Sequence, residues 1–266
     1  MVNSLSAFFV CGARVLYLAF CLIVIVTLAG CGEGPQPDSD TVLSDSELSI
    51  SSGLPICSPF AKTEVVTVSH VHDGDTLKLS DGRKVRLIGV NATEVAKRGG
   101  SNQPFSLKAK QAVQAFIAQS KQIELLTDSE NKDRYGRWLG HVYNEAGQNL
   151  EQSLLQQGLA YHVAIPPNLS LANCLDQAEQ QAQDKRLGLW GDQGISPVQA
   201  KSVEQGGFQR VRGKVTSVRT DKPGTVKHWH LKLDNDFTVM LYSEYQHRFT
   251  KSWFKQLEGK TIEVQG

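Results

Sequence analysis

Three short runs between Glu64 and Val90 constrain the fold more than any other part of this chain. Glu64–Ser69 (EVVTVS) is rich in β-branched residues, Asp75–Ser80 (DTLKLS) alternates apolar with polar residues, and Lys84–Val90 (KVRLIGV) is apolar again. Branched side chains on a two-residue period are what a half-buried strand presents. Asp81-Gly82 separates the second and third runs, and such a pair supplies the backbone of a tight hairpin turn. Residues 64–90 therefore read as a three-stranded antiparallel meander.

The period then changes. After a polar loop, Asn91–Gln103, a helix opens at Pro104 or Phe105 and runs to about Gln119. Leu107, Ala109, Ala112, Val113, Phe116 and Ile117 have helical spacing along it. Gln122–Leu126 and Leu139–Tyr143 read as two more strands. Leu150–Gln157 is a short helix stopped by Gly158. Leu169–Leu187 is a longer one that ends at Gly188, with Leu171, Cys174, Leu175, Ala178 and Ala182 on its inner face. Five strands with interspersed helices imply an α+β domain over residues 63–191. Its architecture is a five-stranded barrel of the oligonucleotide/oligosaccharide-binding kind with three helices.

Residues 192–206 read as a linker. Beyond it, Phe208–Val218, Trp229–Leu233, Phe237–Tyr242 and Thr261–Val264 are strand-like, so 207–266 is expected to be a second, smaller β-rich segment, also barrel-like. It stops at Gly266 directly after a strand, which reads as a domain cut short; a complete four-stranded appendage is the alternative.

The N-terminal region is an address. Residues 1–31 carry one charge, Arg14, and from Val15 to Gly30 every residue is apolar or small. That run falls short of the ~20 apolar residues a membrane span needs. A basic start, a short apolar stretch and small residues before a cleavage point describe a secretory signal. Leu28-Ala29-Gly30-Cys31 resembles the bacterial lipobox, which implies lipidation of Cys31 and anchoring of the mature chain outside the cytoplasm. Gly32 in place of Asp after the cysteine favours the outer membrane; an uncleaved anchor helix is the alternative. Residues 32–62, rich in Ser, Asp, Gly and Pro, read as a flexible tether.

The whole-chain net charge of +1 averages unlike segments. Residues 32–63 hold Glu33, Asp38, Asp40, Asp45 and Glu47 against Lys62 alone, whereas residues 203–266 have eleven Lys/Arg against seven Asp/Glu. The basic excess therefore lies at the C-terminal end, and neutrality overall says nothing against a nucleic-acid enzyme whose decisive charges are local. Cys11 and Cys21 leave with the signal and Cys31 takes the lipid, so Cys57 and Cys174 remain as an even pair in an oxidising compartment. A disulfide between them would pin the segment before the first strand onto a late helix. Two unrelated buried thiols are the alternative.

Three clusters carry chemistry: Asp73-Gly74-Asp75-Thr76, then Arg86 through Glu94 (RLIGVNATE), then Asp133-Arg134-Tyr135-Gly136-Arg137. Singly each is weak, since such stretches are usually turns or solvated strand residues. In this order, with Gln157-Gly158-Leu159-Ala160 and Leu187-Gly188-Leu189-Trp190 after them, they resemble the thermonuclease (staphylococcal-nuclease-like) family over about residues 63–191.

The resemblance implies calcium-dependent hydrolysis of DNA and RNA. Arg86 and Arg137 match the family's catalytic arginines, which meet the charge that builds on the phosphoryl oxygens. Glu94 matches the carboxylate that acts as general base on an attacking water. Asp75 aligns with one calcium ligand, Asn91 with a second where the family typically has Asp, and Ala92 with a ligand that acts through its backbone carbonyl. Thr93 replaces a common Pro. The amide at Asn91 adds no charge, so weaker metal affinity is expected, with Asp73 or Glu94 as nearby compensation. Tyr135 aligns with a ring that stacks near the nucleotide, while Tyr161 fits the core equally well.

The asparagine also supports a second reading, a weak or inactive nucleic-acid-binding module, although a pure binder has no use for Arg86, Glu94 and Arg137 together. The C-terminal segment, with Trp229, Tyr242, Tyr245 and Trp253, could form a basic stacking groove for single strands or an ordinary β core. Lys97 and Arg98 are candidate phosphate contacts. A purely adhesive lipoprotein would explain the anchor but not the charged set. The sequence points to no protein partner, and the chain reads as a monomer on a membrane through its lipid.

Overall fold

The structure, a computed structural model, describes residues 56–96, 100–117, 121–204, 207–221, 228–234, 237–241 and 251–266. The expected signal with Cys31, nearly all of the expected tether, Lys97, Arg98, Tyr242 and Tyr245 lie outside the described residues. No helix among the described residues is long and apolar enough to cross a membrane.

Strands β1 (Glu64–Val71), β2 (Thr76–Leu79) and β3 (Lys84–Leu87) form the expected meander, followed by the short strand β4 (Val90–Ala92). Helix α1 (Ser106–Phe116), β5 (Gln122–Leu126), β6 (Trp138–Tyr143), helix α2 (Leu150–Gln156), β7 (Ala160–His162) and helix α3 (Ala172–Asp184) complete the first domain. Five of these strands close into a barrel in the order β1-β2-β3-β6-β5. Pairing is antiparallel except between β3 and β6, where Arg86 lies opposite Leu139.

Alternation explains the inward face. Val66 and Val68 point into the barrel, and a bulge between Val68 and His70 shifts the register so that Val71 does too. Leu77, Leu79, Val85, Leu87, Ile123, Leu125 and Val142 fill the interior from the other strands, capped by Val113 of α1, Leu154 of α2 and Leu175 of α3. Each such side chain withdrawn from water contributes about 1.5–3 kcal/mol before entropy is counted.

Two boundaries of the first domain differ from expectation. The third strand does not run through Val90. It ends at Leu87, and Gly89, with φ of +81°, turns the chain so that β4 leaves the barrel and pairs with β7 instead. A side chain at Gly89 would also meet Leu175 of α3. Helix α3 starts at Ala172 rather than Leu169, because Asn168 and Ser170 are used elsewhere. Asn168 Oδ1 accepts from Glu130 N–H at 2.7 Å and Ser170 N–H donates to Asp128 at 3.1 Å, tying this turn to the loop after β5. Cys57 and Cys174 are joined as a disulfide with Cα atoms 5.7 Å apart, which fastens the segment before β1 to α3.

The C-terminal segment comprises β8 (Val198–Gln199), β9 (Arg210–Thr220), β10 (Trp229–Leu233), β11 (Phe237–Leu241), helix α4 (Lys251–Lys255) and β12 (Thr261–Gln265). Its described strands form an open sheet, β11-β10-β9-β12, with β8 alongside β9. The stretch read as a linker thus contributes a strand, and Ala200 beside it is buried in this second core. Trp229 stacks on Phe254 at 4.6 Å between ring centroids and is buried, so it belongs to the core and not to a stacking groove. Tyr161 is core as well. It packs between Trp190, at 5.4 Å, and Phe208, at 5.2 Å, where the C-terminal segment meets the first domain.

Candidate active site

Arg86, on β3, is the hub of a buried polar cluster at one end of the barrel. Its Nη1 lies 3.0 Å from Asp75 Oδ2. The same nitrogen donates to the Val90 carbonyl at 2.9 Å, and Nη2 donates to Asn91 Oδ1 at 2.9 Å. Asp75 immediately precedes β2, whose first residue, Thr76, pairs with Arg86 across the sheet. Its carboxylate also accepts from the Ala92 N–H at 2.7 Å and from Thr76 Oγ1 at 3.0 Å. Asp75, Arg86, Asn91 and Ala92 are thus brought together from the turn before β2, from β3 and from β4. Gly74 lets them approach: a Cβ there would lie 2.6 Å from Ala92 Cβ and 2.7 Å from Ala109 Cβ.

Burial pushes the Asp75 carboxyl up to about 6, against the pull of Arg86 and of the Ala92 and Thr76 hydrogen bonds. Keeping it ionised requires positive charge beside it. Arg86 supplies that charge here, and a hard cation is the other group of suitable chemistry. The donor set is oxygen only: the Asp75 carboxylate, the Asn91 amide oxygen and backbone carbonyls. Among the described residues no three His, Cys, Asp or Glu side chains converge. The residues therefore fit a divalent cation such as calcium chemically, but with little protein charge, so water and substrate phosphate would have to complete the shell.

A second cluster is built in the turn before β6. Asp133 accepts from the backbone N–H of Tyr135 at 2.9 Å and of Arg137 at 3.0 Å, and from Arg137 Nε at 2.7 Å. Burial opposes ionisation of Asp133, but these bonds prevail and hold its carboxyl below the usual range. Tyr135 is 69 % exposed, with the Arg134 guanidinium 4.8 Å and that of Arg137 5.6 Å from its ring centroid. An exposed ring flanked by guanidinium groups is a platform for a base with its phosphate. Leu139 of β6 lies opposite Arg86 of β3, and Arg137 belongs to the turn that leads into β6.

Glu94 follows β4 and is exposed. Its backbone is clamped by Gln103, whose Oε1 accepts from the Glu94 N–H at 2.8 Å and whose N–H donates to the Glu94 carbonyl at 3.1 Å. Thr93 Oγ1 donates to the Pro104 carbonyl at 2.7 Å and steadies the same loop. Among the described residues the arginines pair with Asp75 and Asp133, and the Glu94 carboxylate makes no ion pair with either. Sequence reasoning missed Gln103 and the role of Asp133. The i,i+4 spacing of Asp133 and Arg137 was the available signal for the second, whereas nothing local marked Gln103.

The chain matches the staphylococcal nuclease homologue family over residues 84–192. It is 30% identical over 179 residues to the thermonuclease of Staphylococcus intermedius, a match covering 66% of this chain and 95% of that one. It is 31% identical over 136 residues to the thermonuclease of Staphylococcus hyicus, covering 50% and 79% respectively. Identity to endonuclease YncB of Bacillus subtilis is 26% over 198 residues, covering 68% and 93%. A barrel of this order, an arginine hub on β3 and matches of this extent lead to one conclusion: the chain is a member of the staphylococcal nuclease homologue family.

Proposed function

We propose that this protein hydrolyses phosphodiester bonds in DNA and RNA with calcium, while anchored outside the cytoplasm by a lipid on Cys31. The observation that carries the reading is Arg86. A guanidinium fixed by Asp75, Asn91 and the Val90 carbonyl presents its charge in one orientation at the barrel end. Relatives named thermonuclease and endonuclease add independent support.

The division of labour follows from the chemistry. The exposed Glu94 carboxylate accepts a proton from water, and the resulting hydroxide attacks phosphorus. Arg86 and Arg137 donate to the nonbridging oxygens as charge accumulates there, and Arg137 assists the departing oxygen. Asp133 holds the Arg137 guanidinium through its Nε. Tyr135 offers its face to a neighbouring base. Asp75, Asn91 and the Ala92 carbonyl are the residues that would hold calcium, which supplies Lewis-acid polarisation of a phosphoryl oxygen when bound. The alternative, a binding module without catalysis, draws on Asn91, which weakens the cation site without disturbing the arginines.

One fractionation assay tests the reading. Membranes from bacteria making the full chain should cleave added DNA and RNA in millimolar calcium and lose that activity on chelation. With Cys31→Ser the activity should move to the soluble fraction. No cleavage by wild type in calcium would refute the enzyme; a Cys31→Ser protein that stays in the membrane would refute the anchor.

A further inference from the structure

The short ribbon of β4 and β7 carries two of the cluster residues and stands off the barrel. Val90 pairs with His162, Asn91 with Tyr161 and Ala92 with Ala160. A two-stranded ribbon is marginal alone, so something must fix it if Asn91 is to hold Arg86 and Ala92 is to hold Asp75. The barrel does so on one side. The other edge of β7 would present bare backbone groups, and such groups need partners when buried.

Those partners are side chains. The His162 N–H donates to Glu179 Oε1 at 2.7 Å, from α3. The His162 carbonyl accepts from Gln265 Nε2 at 3.0 Å, from β12 of the C-terminal sheet. Gln265 Nε2 also lies 3.4 Å from Glu179 Oε2, and both side chains are buried. A carboxyl and a carboxamide thus finish the edge of β7 as a third strand would. The surrounding seam holds them in place. Arg210 of β9 donates to the Ile195 carbonyl at 2.8 Å, pairs with Glu263 of β12 and lies 4.3 Å from the Trp190 ring centroid. Tyr161, next to His162, is packed between Trp190 and Phe208.

We propose that Gln265 is a positioning residue for the nuclease site: with Glu179 it fixes the β4–β7 ribbon, and through Asn91 and Ala92 the orientation of Arg86 and Asp75. The C-terminal sheet is then part of the catalytic unit and not an appended module. This rests on the nuclease reading for its kinetic consequence, but not for its structural one.

The test compares full-length wild type with Gln265→Ala and Gln265→Met, the second keeping the volume without the donor. Steady-state DNA cleavage in calcium and amide hydrogen exchange are measured on all three. Both variants should lose on the order of tenfold in kcat with KM nearly unchanged, as misplacement of a supporting contact does. Exchange should rise across residues 88–93 and 160–163 while β1 and β2 stay protected. Full recovery by Gln265→Met would mean that only packing matters, and would overturn the proposal. So would wild-type kcat and exchange in either variant. Were wild type itself unable to cleave while the variants still loosened the ribbon, the nuclease reading would fall and the support of β4–β7 by Gln265 would stand. If Gln265→Ala does not fold, Gln265→Met alone decides.

Discussion

Arg86 and Arg137 differ in how they are held, and the difference sets what each substitution should do. Arg86 sits among Asp75, Asn91 and the Val90 carbonyl, mostly buried. Arg137 has one carboxylate partner, Asp133, and is half-buried beside an exposed tyrosine. Lysine keeps the charge of Arg137 but not its planar fork, and Asp133 would no longer orient it. Arg137→Lys should lower kcat by roughly 100-fold, the scale of losing one well-placed donor to a developing oxyanion. Steady-state kinetics checks this, and a variant within about twofold of wild type would show that charge alone suffices. At this scale the sequence was informative. Asp75, Arg86, Asn91 and Ala92 were legible as a set because their spacing repeats a family pattern. Gln103 was not, since its two bonds to Glu94 close a loop across nine residues with no periodic signal.

At the scale of elements, the meander, α1 and the later strands were readable from two- and 3.6-residue periods, because each buries one face. Boundaries failed where the backbone is diverted for tertiary reasons. Gly89 ends β3 early so that β4 can reach β7, and the turn before α3 is spent on the loop after β5. Gly74 shows the same dependence on distant contacts. Its neighbours are Ala92 on β4 and Ala109 on α1, so it lets the cluster strand and the helix close on the strand junction. Gly74→Ala would force them apart. It should destabilise the protein by about 1–3 kcal/mol, read as a lower urea midpoint, and should reduce cleavage by folded protein as well. An unchanged midpoint would mean that the junction relaxes freely.

At the scale of the whole molecule, the seam between the barrel domain and the C-terminal sheet was invisible in the sequence, because it pairs residues as distant as His162 and Gln265. Its buried carboxyl has a measurable signature. Burial pushes Glu179 up to about 8, outweighing the hydrogen bonds from His162 and Gln265. Between about pH 4.5 and about pH 8 the unfolded chain has released this proton while the folded one keeps it. Stability therefore falls as pH rises through that window, by an amount on the order of a few kcal/mol. Glu179→Gln, neutral in both states, should flatten the fall and exceed wild type in urea midpoint at pH 8, with little difference near pH 4.5. Parallel profiles would show that Glu179 is ionised in the fold.

Whether the Arg86 cluster performs phosphodiester hydrolysis is read from kcat for DNA cleavage by Arg86→Ala beside wild type in saturating calcium. Thermal unfolding of each protein confirms that both are folded. Loss of at least 100-fold in kcat is predicted for the variant. Comparable turnover by a folded Arg86→Ala protein would contradict the account.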